Sequence, residues 1–173
     1  GRNWASVVTG YYYTCGLQLD GSLWCWGDNK HHQLGLGELT KKLRPTRVAA
    51  GSTWTSVSVE DRYRAAHTCG VQTDGTVWCW GFNGAGQLGT GDTDDRSLPT
   101  QIGAGVDWER VDTGGMFTCA TRTDHTLWCW GANGYGELGQ GDDVGRSTPT
   151  QVRTDLDWAD VQSGAHHACA TRT

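Results

Sequence analysis

The sequence predicts an all-β fold made of about three four-stranded units and the start of a fourth. One supporting observation is an internal repeat, in which rare residues return at fixed spacings. The tryptophans that open the units are Trp4, Trp54, Trp108 and Trp158. The units span residues 4–53, 54–107 and 108–157, with a partial unit at 158–173. The other observation is that no window of helical length has apolar residues at a 3.6-residue period, so helix is at most a minor element.

Each unit contains four short candidate strands. The first is a segment such as Trp108–Val111, and the second is a run such as Thr68–Gln72. The third carries a Trp-Cys-Trp triplet, as in Val77–Gly81. A Gly-rich stretch leads to the fourth strand, Pro99–Ile102, whose leading Pro suits the start of a strand. The second unit is longer than the first between its Trp and its first Cys, which predicts a loop insertion near residues 60–64.

Strands two and three are joined by segments that fit three-residue hairpin loops with the last residue left-handed. These loops are Leu19–Gly21, Thr73–Gly75 and Thr123–His125. With such a loop Gln18 faces Ser22, and counting outward places Cys15 opposite Cys25. The same count pairs Cys69 with Cys79 and Cys119 with Cys129. A two-residue loop would instead set Cys15 against Trp26, so the cysteine pairing depends on the turn type.

The seven cysteines are spaced alternately 10 and 40 or 44 residues apart, which matches no zinc-binding pattern. One disulfide within each complete unit accounts best for this spacing, and a buried free thiol in every unit accounts for it less well. Cys169 has no partner by the same rule. Disulfides persist in oxidising compartments, so we expect an extracellular or periplasmic protein.

Composition and charge narrow the possible functions. The chain has 10 Trp and 26 Gly in 173 residues, a content of large apolar side chains that excludes disorder. Its net charge of −5 argues against a nucleic-acid partner, which needs a basic face. The apolar runs are too short to cross a bilayer, so we expect no membrane partner. We also expect no cofactor and no metal.

One motif resembles a known family. It runs from Gly81 to Asp92, follows Asp74–Trp78 and precedes Pro99. The third unit repeats it at residues 131–142, whereas the first unit departs from it at His32 and Glu38. The motif resembles the regulator of chromosome condensation (RCC1) repeat, here of a disulfide-containing secreted or bacterial type. The resemblance implies a β-propeller, usually of seven blades, with one repeat for each four-stranded blade.

Strand geometry agrees with stacked blades. Side chains alternate along a strand, so Trp24 and Trp26 point to one face while Leu23 and Cys25 point to the other. Both faces are apolar, and a blade between two neighbours buries both. Propellers typically have four to eight blades, so three and a third repeats cannot close a ring. Either chains associate into a larger ring, or the sequence is part of a longer polypeptide.

The loops between the first and second strands differ from unit to unit, as expected of a binding surface on a regular scaffold. Aromatic and Arg side chains are favoured anchors at protein interfaces. The candidate binding residues are Tyr11, Tyr12, Arg62, Tyr63, Arg64, Met116 and His166. We therefore expect a non-catalytic scaffold that binds an unknown protein partner, with possible self-association that completes a propeller.

Other functions are open but fit the sequence less well. A carbohydrate-binding propeller would use exposed Tyr and Trp rings as stacking platforms. An enzyme would need a fixed site, but the adjacent pair His166 and His167 points to opposite sides of a strand. The acidic cluster Asp92, Asp94, Asp95, Asp142 and Asp143 lies in turns, where Asp is common anyway. The family also includes a plant UV-B photoreceptor, but the positions that match its sensing motif contain no Trp here.

Overall fold

The computed structural model describes residues 3–59, 66–154 and 157–172. This part of the chain contains fourteen β-strands and no helix, so no helix here is long and apolar enough to cross a membrane. The strands are β1 (Trp4–Thr9), β2 (Tyr13–Gln18), β3 (Leu23–Gly27), β4 (Lys42–Arg47), β5 (Trp54–Val59), β6 (His67–Gln72), β7 (Val77–Gly81), β8 (Arg96–Gln101), β9 (Trp108–Thr113), β10 (Phe117–Arg122), β11 (Leu127–Gly131), β12 (Arg146–Gln151), β13 (Trp158–Ser163) and β14 (Ala168–Arg172).

The strands form antiparallel sheets in chain order, which are the blades of a propeller. Blade 1 is β1–β4, blade 2 is β5–β8, blade 3 is β9–β12, and the partial blade is β13–β14. The strands β1, β5, β9 and β13 contact one another from blade to blade, so they are the inner strands. The predicted all-β propeller architecture is confirmed, and the ring is open in the part of the chain that the structure describes.

The fourth strand begins earlier than predicted. We expected it to start at Pro99, but β8 starts at Arg96, which pairs with Gly81 across a bulge in the ladder. Pro99 therefore lies inside the strand. It is tolerated there because β8 is the outer edge of its sheet, where a missing N–H costs no ladder hydrogen bond.

The hairpin between the second and third strands is the predicted three-residue turn. The Gln18 N–H donates to the Ser22 carbonyl at 3.0 Å, and Gly21 has a φ of +77°. His125 takes the same left-handed conformation, with a φ of +62°. This turn sets the predicted register, and the structure contains the disulfides Cys15–Cys25, Cys69–Cys79 and Cys119–Cys129. Cys169 is a free, exposed thiol.

Blades 2 and 3 each bury two different faces. Trp80 of β7 is fully buried against blade 1, whereas Cys79 of the same strand packs with blade 3. Trp130 repeats this arrangement between blades 2 and 3. We call these the tryptophan face and the disulfide face of a blade. Side chains alternate between the two faces of each strand, as the sequence predicts, and in blades 2 and 3 each face packs against one neighbouring blade.

The hairpins carry a second repeated feature that the sequence analysis missed. In blade 2 the Asp74 carboxylate accepts a hydrogen bond from the Thr76 hydroxyl at 2.6 Å, and that hydroxyl accepts one from Trp78 Nε1 at 2.7 Å. The Thr76 hydrogen bonds hold the pKa of Asp74 below its usual value. The equivalent residues of blades 1 and 3 repeat this chain of bonds. The pattern Asp-x-Ser/Thr-x-Trp, visible in all three repeats, was the available signal.

Candidate functional site

Two sets of loops emerge at the same end of the blades. One set follows each inner strand, and the other is the Gly-rich loop between the third and fourth strands. They lie together because Tyr13, which begins β2, pairs with Gly27, which ends β3. The Asp28 N–H at the start of the Gly-rich loop also donates to the Tyr12 carbonyl at 2.9 Å. We call this end of the molecule the rim.

Among the predicted binding residues that the structure describes, Tyr11 and Tyr12 form an exposed pair on the rim. Their side chains are 52% and 61% exposed. The two ring centroids are 4.4 Å apart, and the rings meet edge to face. This geometry presents a compact aromatic pair on the loop of blade 1, rather than two parallel ring faces.

The predicted residues of blades 3 and 4 lie on adjacent loops. The Gly115 N–H donates to the Gly164 carbonyl at 3.3 Å, which joins the loop of Met116 to that of His166. Met116 is half-buried and His166 is exposed. Arg62, Tyr63 and Arg64, like the predicted loop insertion, lie outside the described residues.

His166 also contacts the Gly-rich loop of blade 3. Its ring centroid is 4.7 Å from that of Tyr135, and its Nδ1 is 3.6 Å from a carboxylate oxygen of Glu137. Glu137 is buried, and its second carboxylate oxygen accepts the Tyr135 N–H at 2.9 Å. Glu137 could not be recognised as a site residue from the sequence because the equivalent position is Gln in the first two repeats.

A polar cavity of about 250 Å³ lies near the ends of the inner strands. Its main charged group is Asp112, which accepts hydrogen bonds from the Ser58 hydroxyl of blade 2 and the Ser163 N–H of the partial blade. Burial raises the pKa of Asp112, and the hydrogen bonds from Ser163 and Ser58 oppose this shift. One carboxylate thus links three blades. Asp112 could not be recognised from the repeat pattern because only the third repeat has Asp at this position.

Asp92 and Asp142 hold the Gly-rich loops of blades 2 and 3. Asp92 forms an ion pair with Arg96 at 2.6 Å, and the Arg96 hydrogen bond lowers the pKa of Asp92. Asp142 and Arg146 repeat the pair in blade 3 at 2.8 Å. Among the described residues, no three His, Cys, Asp or Glu side chains form a group that could hold a metal ion.

The Asn at the start of each Gly-rich loop, exemplified by Asn83, closes that loop. Its side-chain amide donates to the Asp92 and Asp94 carbonyls at 3.1 and 3.0 Å, while its side-chain oxygen accepts the Leu88 N–H at 2.9 Å. Asn29 and Asn133 occupy the same place in blades 1 and 3. These asparagines explain why the motif recurs, because they hold the Gly-rich loop closed. The loops between the first and second strands vary from repeat to repeat and remain the candidate contact surface.

Comparison with known proteins identifies the repeat. The model of the regulator of chromosome condensation (RCC1) repeat matches residues 20–63, 74–121 and 124–171. A second model of the same repeat matches residues 4–33 and 109–137. Together these segments include most of the chain and all of its blades.

Individual relatives match over part of their length. The chain is 36% identical over 99 residues to the human probable E3 ubiquitin-protein ligase HERC3, which is 56% of this chain and 9% of that protein. It is 32% identical over 102 residues to the ultraviolet-B receptor UVR8 of Arabidopsis thaliana, which is 59% of this chain and 23% of that protein. The chain therefore corresponds to less than a quarter of the length of either relative.

The fold also matches solved structures. The crystal structure of Prp20p from Saccharomyces cerevisiae superimposes with a TM-score of 0.84 at 18% identity, covering 98% of this chain and 43% of that one. Prp20p has binding properties toward Gsp1p and histones. At this level of identity, the likeness establishes the propeller fold alone.

Proposed function

Because the chain belongs to the regulator of chromosome condensation (RCC1) repeat family, we propose that it is a non-catalytic propeller scaffold that binds a protein through the rim. The observation that carries this proposal is the exposed aromatic pair Tyr11 and Tyr12 on the loop between the first two strands of blade 1. Aromatic side chains are frequent anchors of protein interfaces because they bury a large area with few rotatable bonds. The binding properties of the structurally similar Prp20p support a role in protein recognition.

The geometry supports a protein ligand better than a sugar. A carbohydrate site would hold ring faces open in a concavity, where a sugar can stack on them. Tyr11 and Tyr12 meet edge to face on a loop, so the edge of one ring covers part of the face of the other. Tyr135 is 77% exposed and packs against His166 at a tilt of 60°. These rings fit the irregular surface of a protein partner.

The test of the rim compares which proteins the unaltered chain and its variants retain from an extract of the source organism. The Tyr11→Ser/Tyr12→Ser variant should lose the bound partner, because it removes the aromatic pair and leaves the blade core intact. Leu43→Ser is the matched control, since Leu43 is highly exposed but lies on the outer strand β4. Proteins retained by the unaltered chain and by Leu43→Ser, but not by the rim variant, would be identified by mass spectrometry. Equal retention by all three proteins would contradict the proposal.

We also propose an oxidising location, extracellular or periplasmic, and the three disulfides support it. In protein extracted from its native source under thiol-trapping conditions, the six cysteines of these disulfides should remain unalkylated because they are paired. Mass spectrometry of the peptides that contain them gives this result. Alkylation of all six would show that the protein resides in a reducing compartment.

Self-association is the further part of this proposal. The tryptophan face of blade 1, with Trp4 and Trp26, has no blade against it among the described residues, and both rings are half-buried. The partial blade likewise leaves its disulfide face, with Cys169, exposed. Between neighbouring blades a tryptophan face packs against a disulfide face. The open tryptophan face of one chain can therefore pack against the open disulfide face of another, head to tail. Light scattering should give a mass above 18.8 kDa, and Trp26→Glu should restore the monomer mass. A monomer at all concentrations would contradict self-association.

A further inference from the structure

The charged residues of the chain are unevenly distributed among the repeats. Residues 4–53 contain five Lys or Arg and three Asp or Glu, whereas residues 54–107 contain three and seven. Residues 108–157 contain four and eight. All three lysines of the chain lie in the first of these segments. The first repeat is therefore the basic part of a protein whose net charge is −5.

Most of this positive charge lies on or beside β4, the outer strand of blade 1. The four basic residues there are Lys41, Lys42, Arg44 and Arg47. Lys42 belongs to the repeated loop structure, because it corresponds to Arg96 and Arg146 and pairs in the same way with the acidic residue four positions before it. Its Nζ lies 2.5 Å from a carboxylate oxygen of Glu38. We call the other three cations, Lys41, Arg44 and Arg47, the cationic edge.

The cationic edge has no counterpart in the other repeats. Its equivalents are Asp95, Leu98 and Gln101 in blade 2, and Gly145, Thr148 and Gln151 in blade 3. The ion pairs among the described residues include none of its three cations. The pKa of Asp20 is lowered by hydrogen bonds from Ser22 and also by the charge of Arg47. The fold of a blade thus does not require these three cations.

All three side chains of the cationic edge are exposed, and this exposure belongs to their positions in a blade. The equivalent residues of blade 2, Asp95, Leu98 and Gln101, are exposed as well, although blade 1 packs beside them. The Gly37 N–H of blade 1 donates to the Ser97 carbonyl of β8 at 2.8 Å and leaves these three residues exposed. The accessibility of the cationic edge therefore does not depend on whether another blade precedes blade 1.

Protection of the sheet edge does not explain the cations. Proteins often place Lys, Pro or a bulge on an outer strand, where they prevent pairing with another chain. The outer strands β8 and β12 have the same Pro and the same shift of register as β4. Their basic residues are Arg96 and Arg146, which are both ion-paired. An outer strand of this protein is thus protected without unpaired positive charge.

We propose that the cationic edge binds an acidic, extended segment of a partner protein along the outer side of blade 1. The three cations are spread over no more than about 20 Å, because an extended strand rises about 3.3 Å per residue. A short peptide with several Asp or Glu side chains can therefore reach all of them. Arg44 and Arg47 can each donate two parallel hydrogen bonds to one carboxylate. The complementary charges supply the attraction.

A short acidic segment fits this surface better than a long polyanion. A nucleic acid or a sulfated polysaccharide extends past the cationic edge onto its surroundings. Asp94 and Asp95 are exposed beside β8 of the neighbouring blade, and they repel such a chain. The inference goes beyond the proposed binding through the rim, because it uses a different surface and none of the rim residues.

The test measures binding of a short, fluorescently labelled peptide of alternating Glu and Ser to the 173-residue chain by fluorescence anisotropy. We expect saturable binding that weakens as salt is added, because salt screens exposed charges. The variant Lys41→Gln/Arg44→Gln/Arg47→Gln should bind about tenfold or more weakly, since three charge-assisted contacts are lost together. A peptide with Gln in place of Glu should not bind. Equal affinity of the unaltered chain and the triple variant would overturn the proposal.

A second variant controls for net charge. Val106→Glu/Val144→Glu/Thr148→Glu lowers the net charge by the same amount, at exposed positions outside blade 1. Its affinity for the peptide should change by less than about twofold at physiological salt, where charges act over about 8 Å. Thermal melting verifies that both variants fold. Tyr11→Ser/Tyr12→Ser should bind the peptide normally, so failure at this surface is distinguishable from failure at the rim.

Cross-linking and other polyanions complete the test. A carbodiimide joins a carboxylate of the bound peptide to a nearby lysine amine, and Lys41 should react in preference to Lys30. Lys30 is the matched comparison, because it is exposed on the Gly-rich loop of the same blade. Equal coupling of the two lysines would contradict the proposal. If heparin or single-stranded DNA binds through the cationic edge and the peptide does not, the occupant is a different polyanion and the proposal is wrong.

Discussion

Removing the Cys69–Cys79 disulfide should lower the free energy of unfolding by about 2–3 kcal/mol. The bond closes a hairpin loop of 10 residues' separation, and the lost restriction of the unfolded chain accounts for this amount on the loop-entropy estimate. Both sulfurs are fully buried between blades 2 and 3. The double variant Cys69→Ala/Cys79→Ala avoids leaving a hydroxyl in this apolar interface, and the lost packing of the two buried sulfurs adds to the loss of the cross-link.

The measurement is urea unfolding of the variant beside the unaltered chain, followed by tryptophan fluorescence. Cys169→Ala is the matched control, because it removes an exposed thiol that closes no loop, and it should change the free energy of unfolding by less than about 0.5 kcal/mol. A double variant as stable as the control would show that the hairpin turn alone holds the two strands in register.

Replacing Trp80 with Ala should lower the free energy of unfolding by about 3–5 kcal/mol, the usual cost of deleting a large buried aromatic side chain. Trp80 is fully buried between blades 1 and 2, donates to the Gln33 carbonyl and contacts Trp54. Its loss leaves a cavity, and the Gln33 carbonyl keeps only the hydrogen bond from the Thr68 hydroxyl. Because this ring joins two blades, the transition should also broaden as blade 1 unfolds separately.

Trp26→Ala is the matched comparison for this prediction. Trp26 occupies the equivalent position in blade 1 and contacts Trp4 with centroids 5.8 Å apart, but no described blade covers it. Its replacement should therefore cost about 1 kcal/mol or less in the monomer. Chemical denaturation at low protein concentration gives both values. Equal losses for the two variants would mean that the stability resides within blades rather than between them.

Local hydrogen-bond geometry explains why the hairpins could be predicted residue by residue. Asp-Gly turns such as Asp20–Gly21 allow few backbone conformations, and the turn sets the register of the flanking strands. The pairing of Cys15 with Cys25 followed from this register. The start of the fourth strand was less predictable. The bulge between Cys79 and Gly81 shifts the pairing of β7 with β8, and β8 lies at the outer edge of the sheet, where Pro99 lacks no ladder hydrogen bond and therefore does not mark the strand's start.

The rim was predictable in position but not in its contacts. The variable loops identified Tyr11, Tyr12, Met116 and His166, and strand direction alone brings such loops to one end of the blades. The buried Glu137 and the cavity around Asp112 were missed. Their partners come from different repeats, as with Ser58 and Asp112, and only one repeat carries the acidic residue.

By itself, the sequence determined the repeat, the all-β architecture, the three-residue turns and the pairing of six cysteines. These features depend on spacings and turn preferences within one repeat, where few conformations are possible. The tertiary structure decided which faces meet and how Asp112 joins three blades. These features depend on packing between blades. Such packing joins residues about 50 apart in the sequence, and no local sequence pattern specifies their contacts.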